Sequence, residues 1–134
     1  MSIRIDVTGS RPKPVRWIGG SKEDLSRFPD DVRWNVGGAI WQAQLGGKAP
    51  NAKPLRGFGG ASVLEIVDDF DGDAYRVVYT VRFARAVYVL HAFQKKSRRG
   101  IATPKVELNL IRQRLRQATE DYEEWSRSKQ NGSR

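Results

Sequence analysis

The sequence predicts an α+β domain: a small antiparallel sheet, a helical hairpin before it and one long helix after it. Three observations carry this. Three strand-like runs follow one another between residues 63 and 93, parted by short turn signals. Two helical segments precede them and end at Gly46-Gly47. An apolar stripe of helical period follows them, from Val106 to Trp125.

Val15-Arg16-Trp17-Ile18, stopped by Gly19-Gly20, reads as the first strand. Ser21 with Asp24 has the pattern of a capping box, so a short helix is expected from there to Arg27. Pro29 suits the first turn of the next helix, where its missing N–H has no helical partner anyway. Val32, Val36, Ile40 and Ala43 recur at helical spacing, with Trp34, Trp41 and Leu45 as a second stripe. Gly37-Gly38 lie inside this helix, and each costs about 1 kcal/mol relative to alanine. Close approach of the two helices is the expected compensation.

Residues 48–60 read as a loop. Val63 to Val67 is the next strand, and Asp71-Gly72 is a hairpin signal. Ala74 to Phe83 follows, rich in Val, Tyr and Thr. A second reversal falls in residues 82–86. Val87 to Phe93 is the most apolar run, hence an interior strand. Thr103-Pro104 opens the last helix as cap and first helical residue. The order is β-α-α-β-β-β-α. Residues 1–13 form an irregular lead-in, 14–125 a single domain and 126–134 a polar tail.

Composition removes several classes of function. Cysteine is absent, which excludes disulfide scaffolds, thiolate metal sites and Cys nucleophiles. His91 is the single histidine, which excludes multi-His zinc sites and two-histidine ribonuclease chemistry. No cofactor is expected. No apolar run approaches the roughly 20 residues of a membrane span. Residues 1–14 hold no apolar run of signal-peptide length, so a cytoplasmic location is expected.

The net charge is +9, which points to a polyanion: nucleic acid first, an acidic protein second. The charge is concentrated. Lys95, Lys96, Arg98, Arg99, Lys105, Arg112, Arg114 and Arg116 face a single acid, Glu107, in the window 95–116. Arginine forks onto phosphate oxygens. Cleavage of a phosphodiester needs more: a proton acceptor for the 2′-hydroxyl, charge stabilisation at phosphorus and help for the leaving 5′-oxygen. A lysine among like charges has its pKa lowered and can move protons, whereas an arginine only stabilises charge. The plainer reading makes Lys95 to Arg99 a solvated turn.

Ala74-Tyr75-Arg76-Val77-Val78-Tyr79-Thr80-Val81, then Val87-Tyr88-Val89-Leu90-His91-Ala92-Phe93-Gln94-Lys95-Lys96, then Thr103-Pro104 and a basic helix, resemble the phage-derived, HigB-like branch of the RelE/ParE toxins. Lys53-Pro54-Leu55-Arg56-Gly57 and Val63-Leu64-Glu65-Ile66 fit the same pattern. The resemblance covers residues 14–120, and its most specific string is Leu-His-x-Phe-x-Lys-Lys. It implies a β-α-α-β-β-β-α toxin of a type II toxin–antitoxin pair. It also implies an mRNA endoribonuclease, often ribosome-associated, that cuts by 2′-hydroxyl attack. The implied partners are a helix-turn-helix antitoxin and mRNA, with higher-order toxin–antitoxin complexes.

By the same resemblance, Arg76 matches the strand arginine that contacts the scissile phosphate. Lys95 and Lys96 match the basic pair ending the last strand. Lys53 and Arg56 match a basic loop more loosely. Arg98 and Arg99 are read as RNA-binding from their place in the charge run, not from the resemblance. Some relatives place a tyrosine after the basic pair. This chain has Ser97-Arg98-Arg99-Gly100-Ile101 instead, which leaves the general base open.

Each residue has a plainer role. Arg76 could pair across strands with an acid. Lys95 and Lys96 alternate across the pleat, so only one faces a given side. His91 is a candidate acid or base, but sits mid-strand, where a structural histidine is commoner. The four tryptophans read as core or partner contacts, with Phe58 and Tyr79 as candidate stacking rings. Three function classes stay open: a ribonuclease toxin, a ParE-like gyrase poison without RNA chemistry, and a simple nucleic-acid-binding phage accessory protein.

Overall fold

The structure is a computed structural model that describes residues 11–96 and 102–132. Its elements are β1 (Val15–Trp17), α1 (Ser21–Ser26), α2 (Asp30–Gln44), β2 (Ala52–Pro54), β3 (Val63–Phe70), β4 (Asp73–Thr80), β5 (Val87–Lys96) and α3 (Lys105–Gly132). They build one five-stranded sheet in the order β1-β5-β4-β3-β2.

The expected meander is present: β3, β4 and β5 pair antiparallel in sequence. Asp71 and Gly72 turn the first hairpin with φ of 53° and 86°, the pair of left-handed residues a two-residue turn needs. Two short strands complete the sheet. β1 adds to β5 in parallel, Val15 opposite Val87. β2, inside the expected loop, adds antiparallel to β3 and sets Lys53 opposite Glu65.

The helices cover both faces. Val32, Val36, Ile40 and Ala43 of α2 pack with Ile66, Val77, Tyr79 and Val89. Ile111 and Ala118 of α3 pack on the other face with Val63, Val78, Tyr88 and Leu90. The far half of α3 is pinned by Asp121, which accepts from Arg16 Nε at 2.7 Å and from Tyr88 Oη at 2.6 Å. Arg16 holds the Asp121 carboxyl below the ordinary carboxylate range. Trp125 lies under the guanidinium of Arg16, 5.0 Å from its ring centroid.

Four local expectations need correction. Ser21 does not cap α1; it is buried in the first turn, and its hydroxyl donates to Val89 O at 3.1 Å, tying helix to sheet. Gly37 and Gly38 mediate no close helix approach: a Cβ on either would meet nothing within 4 Å. Trp34 is not a second core stripe; it is 82% exposed on the outer side of α2. The polar tail expected from residue 126 is helical through Gly132, a continuation of α3.

Gly19 is a position where glycine is required. Its φ is +58°, and an added Cβ would lie 2.8 Å from Arg114 Cζ. Gly19→Ala is expected to cost about 1–3 kcal/mol, from the left-handed backbone and the displaced guanidinium. Thermal unfolding checks this, and an unchanged Tm would contradict it.

Candidate active site

A β-bulge sets the geometry of the site. Val78 of β4 is opposite His91, but the next residue, Tyr79, is opposite Val89. Leu90 is therefore an extra residue, and alternation restarts after it. Leu90 packs on the α3 face. The reset puts His91, Phe93 and Lys95 on that same face, where strict alternation from Leu90 would have turned them away. The carbonyl that the bulge takes out of the ladder accepts Arg114 Nη1 from α3 at 3.0 Å.

Arg76 of β4 and Glu65 of β3 also face α3. They are diagonal neighbours, since Glu65 is opposite Val78 and Arg76 opposite Val67. Both are buried, each 7% exposed, and Arg76 Nη1 lies 3.3 Å from Glu65 Oε2. Thr103 closes a triangle: its hydroxyl accepts from Arg76 Nη1 at 3.2 Å and donates to Glu65 Oε2 at 2.8 Å. Thr103 is thus not the helix cap its sequence suggests. The first bond of α3 runs from Leu108 N to Pro104 O.

Lys95 stands beside this triangle. It is registered opposite Ala74, and its Nζ donates to Ala102 O at 2.8 Å. Desolvation lowers its pKa from the ordinary lysine value, the Arg76 charge lowers it further, and Glu65 opposes them. Lys96 is registered opposite Asp73. The side chain of Lys96, together with Arg98 and Arg99, lies outside the described residues.

His91 is 6% exposed, and both ring nitrogens are engaged. Arg114 Nη1 is 3.3 Å from Nδ1 and Glu107 Oε1 is 2.6 Å from Nε2. A guanidinium only donates, so Nδ1 accepts and Nε2 carries the hydrogen given to Glu107. The ring also stacks on Phe93 at 4.8 Å. His91 therefore joins the first turns of α3 to β5, above the buried triangle.

The remaining basic residues form a rim. Lys53 is exposed at the sheet edge, two strands from Arg76 and opposite Glu65, and Arg56 is exposed on the loop beyond it. Lys105, Arg112 and Arg116 are exposed on α3. Arg114 instead turns inward to the bulge. Neither expected stacking ring is free for a base. Tyr79 is fully buried, with burial pushing its pKa up to about 12, and Phe58 is buried beneath Arg112.

Sequence reasoning missed Glu65 and Thr103. An acid inside the apolar run Val63-Leu64-Glu65-Ile66-Val67 was the available signal, because a buried carboxylate needs a partner. Among the described residues no group of three or more His, Cys, Asp or Glu could hold a metal ion, and no helix is long and apolar enough to cross a membrane.

The fold and site define a small α+β domain whose third and fourth strands carry a buried arginine–carboxylate pair, closed by Thr103 ahead of the last helix and rimmed by basic residues. The family described as "Phage derived protein Gp49-like" matches residues 23–116. The chain belongs to this phage-derived Gp49-like family, a RelE/HigB-like toxin family. No curated protein matches it. Among solved structures, the chain is similar to one from the toxin–antitoxin complex RelBE2 of Mycobacterium tuberculosis. Identity there is 20% and the TM-score 0.43, over 65% of this chain and 99% of that one.

Proposed function

We propose that the protein is the toxin of a type II toxin–antitoxin pair and cleaves mRNA by 2′-hydroxyl attack. The observation that carries this reading is the meeting of Arg76, Glu65, Thr103 and Lys95 on one face, at the end of the basic run. Family membership supports it independently.

Arg76 is the charge stabiliser. An RNA phosphate takes Arg76 from Glu65, so that the guanidinium forks onto its oxygens as charge builds at phosphorus. Lys95, eased toward its neutral form by desolvation and Arg76, accepts the 2′-hydroxyl proton. The O2′–P bond forms and the P–O5′ bond breaks. The 5′-oxygen takes a proton from solvent water as it leaves, Lys95 later returns its own to solvent, and a 2′,3′-cyclic phosphate remains. Lys53, Arg56 and the described basic residues of α3 guide the strand. His91 acts by position, holding α3 to β5. A helix-turn-helix antitoxin would cover this basic face, and the ribosome would present the mRNA.

Glu65 competes with substrate in this scheme. Glu65→Gln keeps the shape and removes the competing charge, so binding of a cleavage-resistant RNA should tighten several-fold, as titration would show. Weaker binding by a folded Glu65→Gln protein would contradict the exchange.

The reading is tested by incubating the purified protein with a synthetic mRNA, with and without translating ribosomes. Fragments ending in 2′,3′-cyclic phosphate support it. Toxicity with DNA damage and intact RNA would replace it with gyrase poisoning. Salt-dependent binding without cleavage or toxicity would replace it with a binding module.

A further inference from the structure

We infer that Arg112 is a nucleobase-stacking platform, a subsite for single-stranded RNA beside the reacting phosphate. This rests on the RNA reading above. Arg112 lies on α3, seven residues after its first residue Lys105 and hence about 10–11 Å along the helix axis. Its Cζ sits 5.1 Å from the centroid of the Phe58 ring, and its Nη1 donates to Asn109 Oδ1 at 3.3 Å. Phe58 is only 9% exposed and belongs to the core under α3. The support beneath the guanidinium is therefore fixed.

Gly57 is shaped to this arrangement. Its φ is +93°, and a Cβ there would lie 3.3 Å from Arg112 Nη2. Glycine both allows the turn and leaves the guanidinium its place. Arg112 itself is exposed. Its guanidinium carbon lies over the ring while the residue as a whole is open to solvent.

A flat, cationic, pre-seated plane suits a nucleobase. Guanidinium planes stack on bases as aromatic rings do, and single-strand readers rely on such stacking. Seating on Phe58 lowers the ordering cost that a free arginine incurs on binding. The platform also stands on the loop that carries Arg56 and continues from Lys53. A strand whose phosphates run along those cations passes Arg112. The platform replaces the stacking role that Phe58 cannot fill while buried.

The test separates the plane from the charge. A cleavage-resistant single-stranded RNA carrying 2-aminopurine is titrated against the wild type, Arg112→Lys, Arg112→Ala and Phe58→Leu. The wild type should quench the fluorophore when it lies near the platform. Arg112→Lys keeps the charge and loses the plane; it should weaken binding about tenfold and lose the quenching, with an unchanged salt slope. Arg112→Ala should also lower the salt slope by about one. Phe58→Leu fills the core and removes the ring beneath Arg112, so a folded Phe58→Leu protein should reproduce the Arg112→Lys result. If Arg112→Lys binds and quenches as the wild type does, Arg112 is only a charge and the inference fails, with the proposed function intact. If the wild type neither binds nor cleaves RNA, both fail.

Discussion

Replacing Arg76 with alanine should lower RNA cleavage by roughly two to three orders of magnitude. Two effects act together, and they must be separated. The first is chemical: the guanidinium that meets the phosphate is gone. The second is structural: Glu65 is left buried and unpaired at 7% exposure, and breaking such a pair costs about 3–5 kcal/mol. A loss of activity by unfolding would prove nothing about chemistry. Arg76→Met with Glu65→Gln removes both charges while keeping similar volumes. This double variant should recover much of the lost stability, by thermal unfolding, and still fail to cleave. If it folds and cleaves like the wild type, Arg76 has no role at the phosphate.

Lys95→Arg should reduce the cleavage rate by about two to four orders of magnitude while RNA binding holds. The substitution keeps the positive charge beside Arg76. It removes an amine whose loss of a proton is eased by desolvation and by the Arg76 charge. The pH profile discriminates further. On the proposed mechanism the neutral amine is the active form of the wild type, so the rate should rise with pH as Lys95 loses its proton. The inflection falls below 10.5 because desolvation, then the Arg76 charge, disfavours the ammonium. In Lys95→Arg that inflection should disappear. Full activity in Lys95→Arg would assign the proton transfer to another group.

Local signals specified much of the fold. Asp71-Gly72 adopts the two left-handed conformations its sequence advertises, and the three strands around it pair in order. Val32, Val36, Ile40 and Ala43 of α2 and Ile111, Leu115 and Ala118 of α3 face the sheet as their spacing requires, whereas Trp34 and Val106 of the expected stripes stand exposed. The parts not legible depend on distant partners. β2 is three residues long, lies in a stretch that reads as loop, and gains its strand character by adding to β3. Ser21 and Thr103 look like caps because their local patterns are right, yet both hydroxyls are taken by tertiary partners: Val89 O for one, Glu65 and Arg76 for the other. Local propensity cannot report such competition.

The candidate site was legible in its residue types and not in its arrangement. Arg76 and Lys95 stand out by resemblance and charge. That they share a face with Glu65 follows from the pleat of β3, β4 and β5 together. The bulge at Leu90 carries no glycine or other mark in the sequence, and it decides which lysine of the pair joins the face. The concentration of charge between residues 95 and 116 also divides once folded. Arg114 serves the bulge and His91, while Lys105, Arg112 and Arg116 stay on the surface.

We propose, above all, that this protein cuts RNA with an arginine and a lysine. Transcriptome-wide mapping of RNA 5′ ends after induction, with the folded Arg76→Met/Glu65→Gln variant induced in parallel, tests it most directly. New 5′ ends at defined positions in mRNA, absent from the variant, are the expected result. Growth arrest by the wild type with an unchanged map of RNA ends would contradict the account.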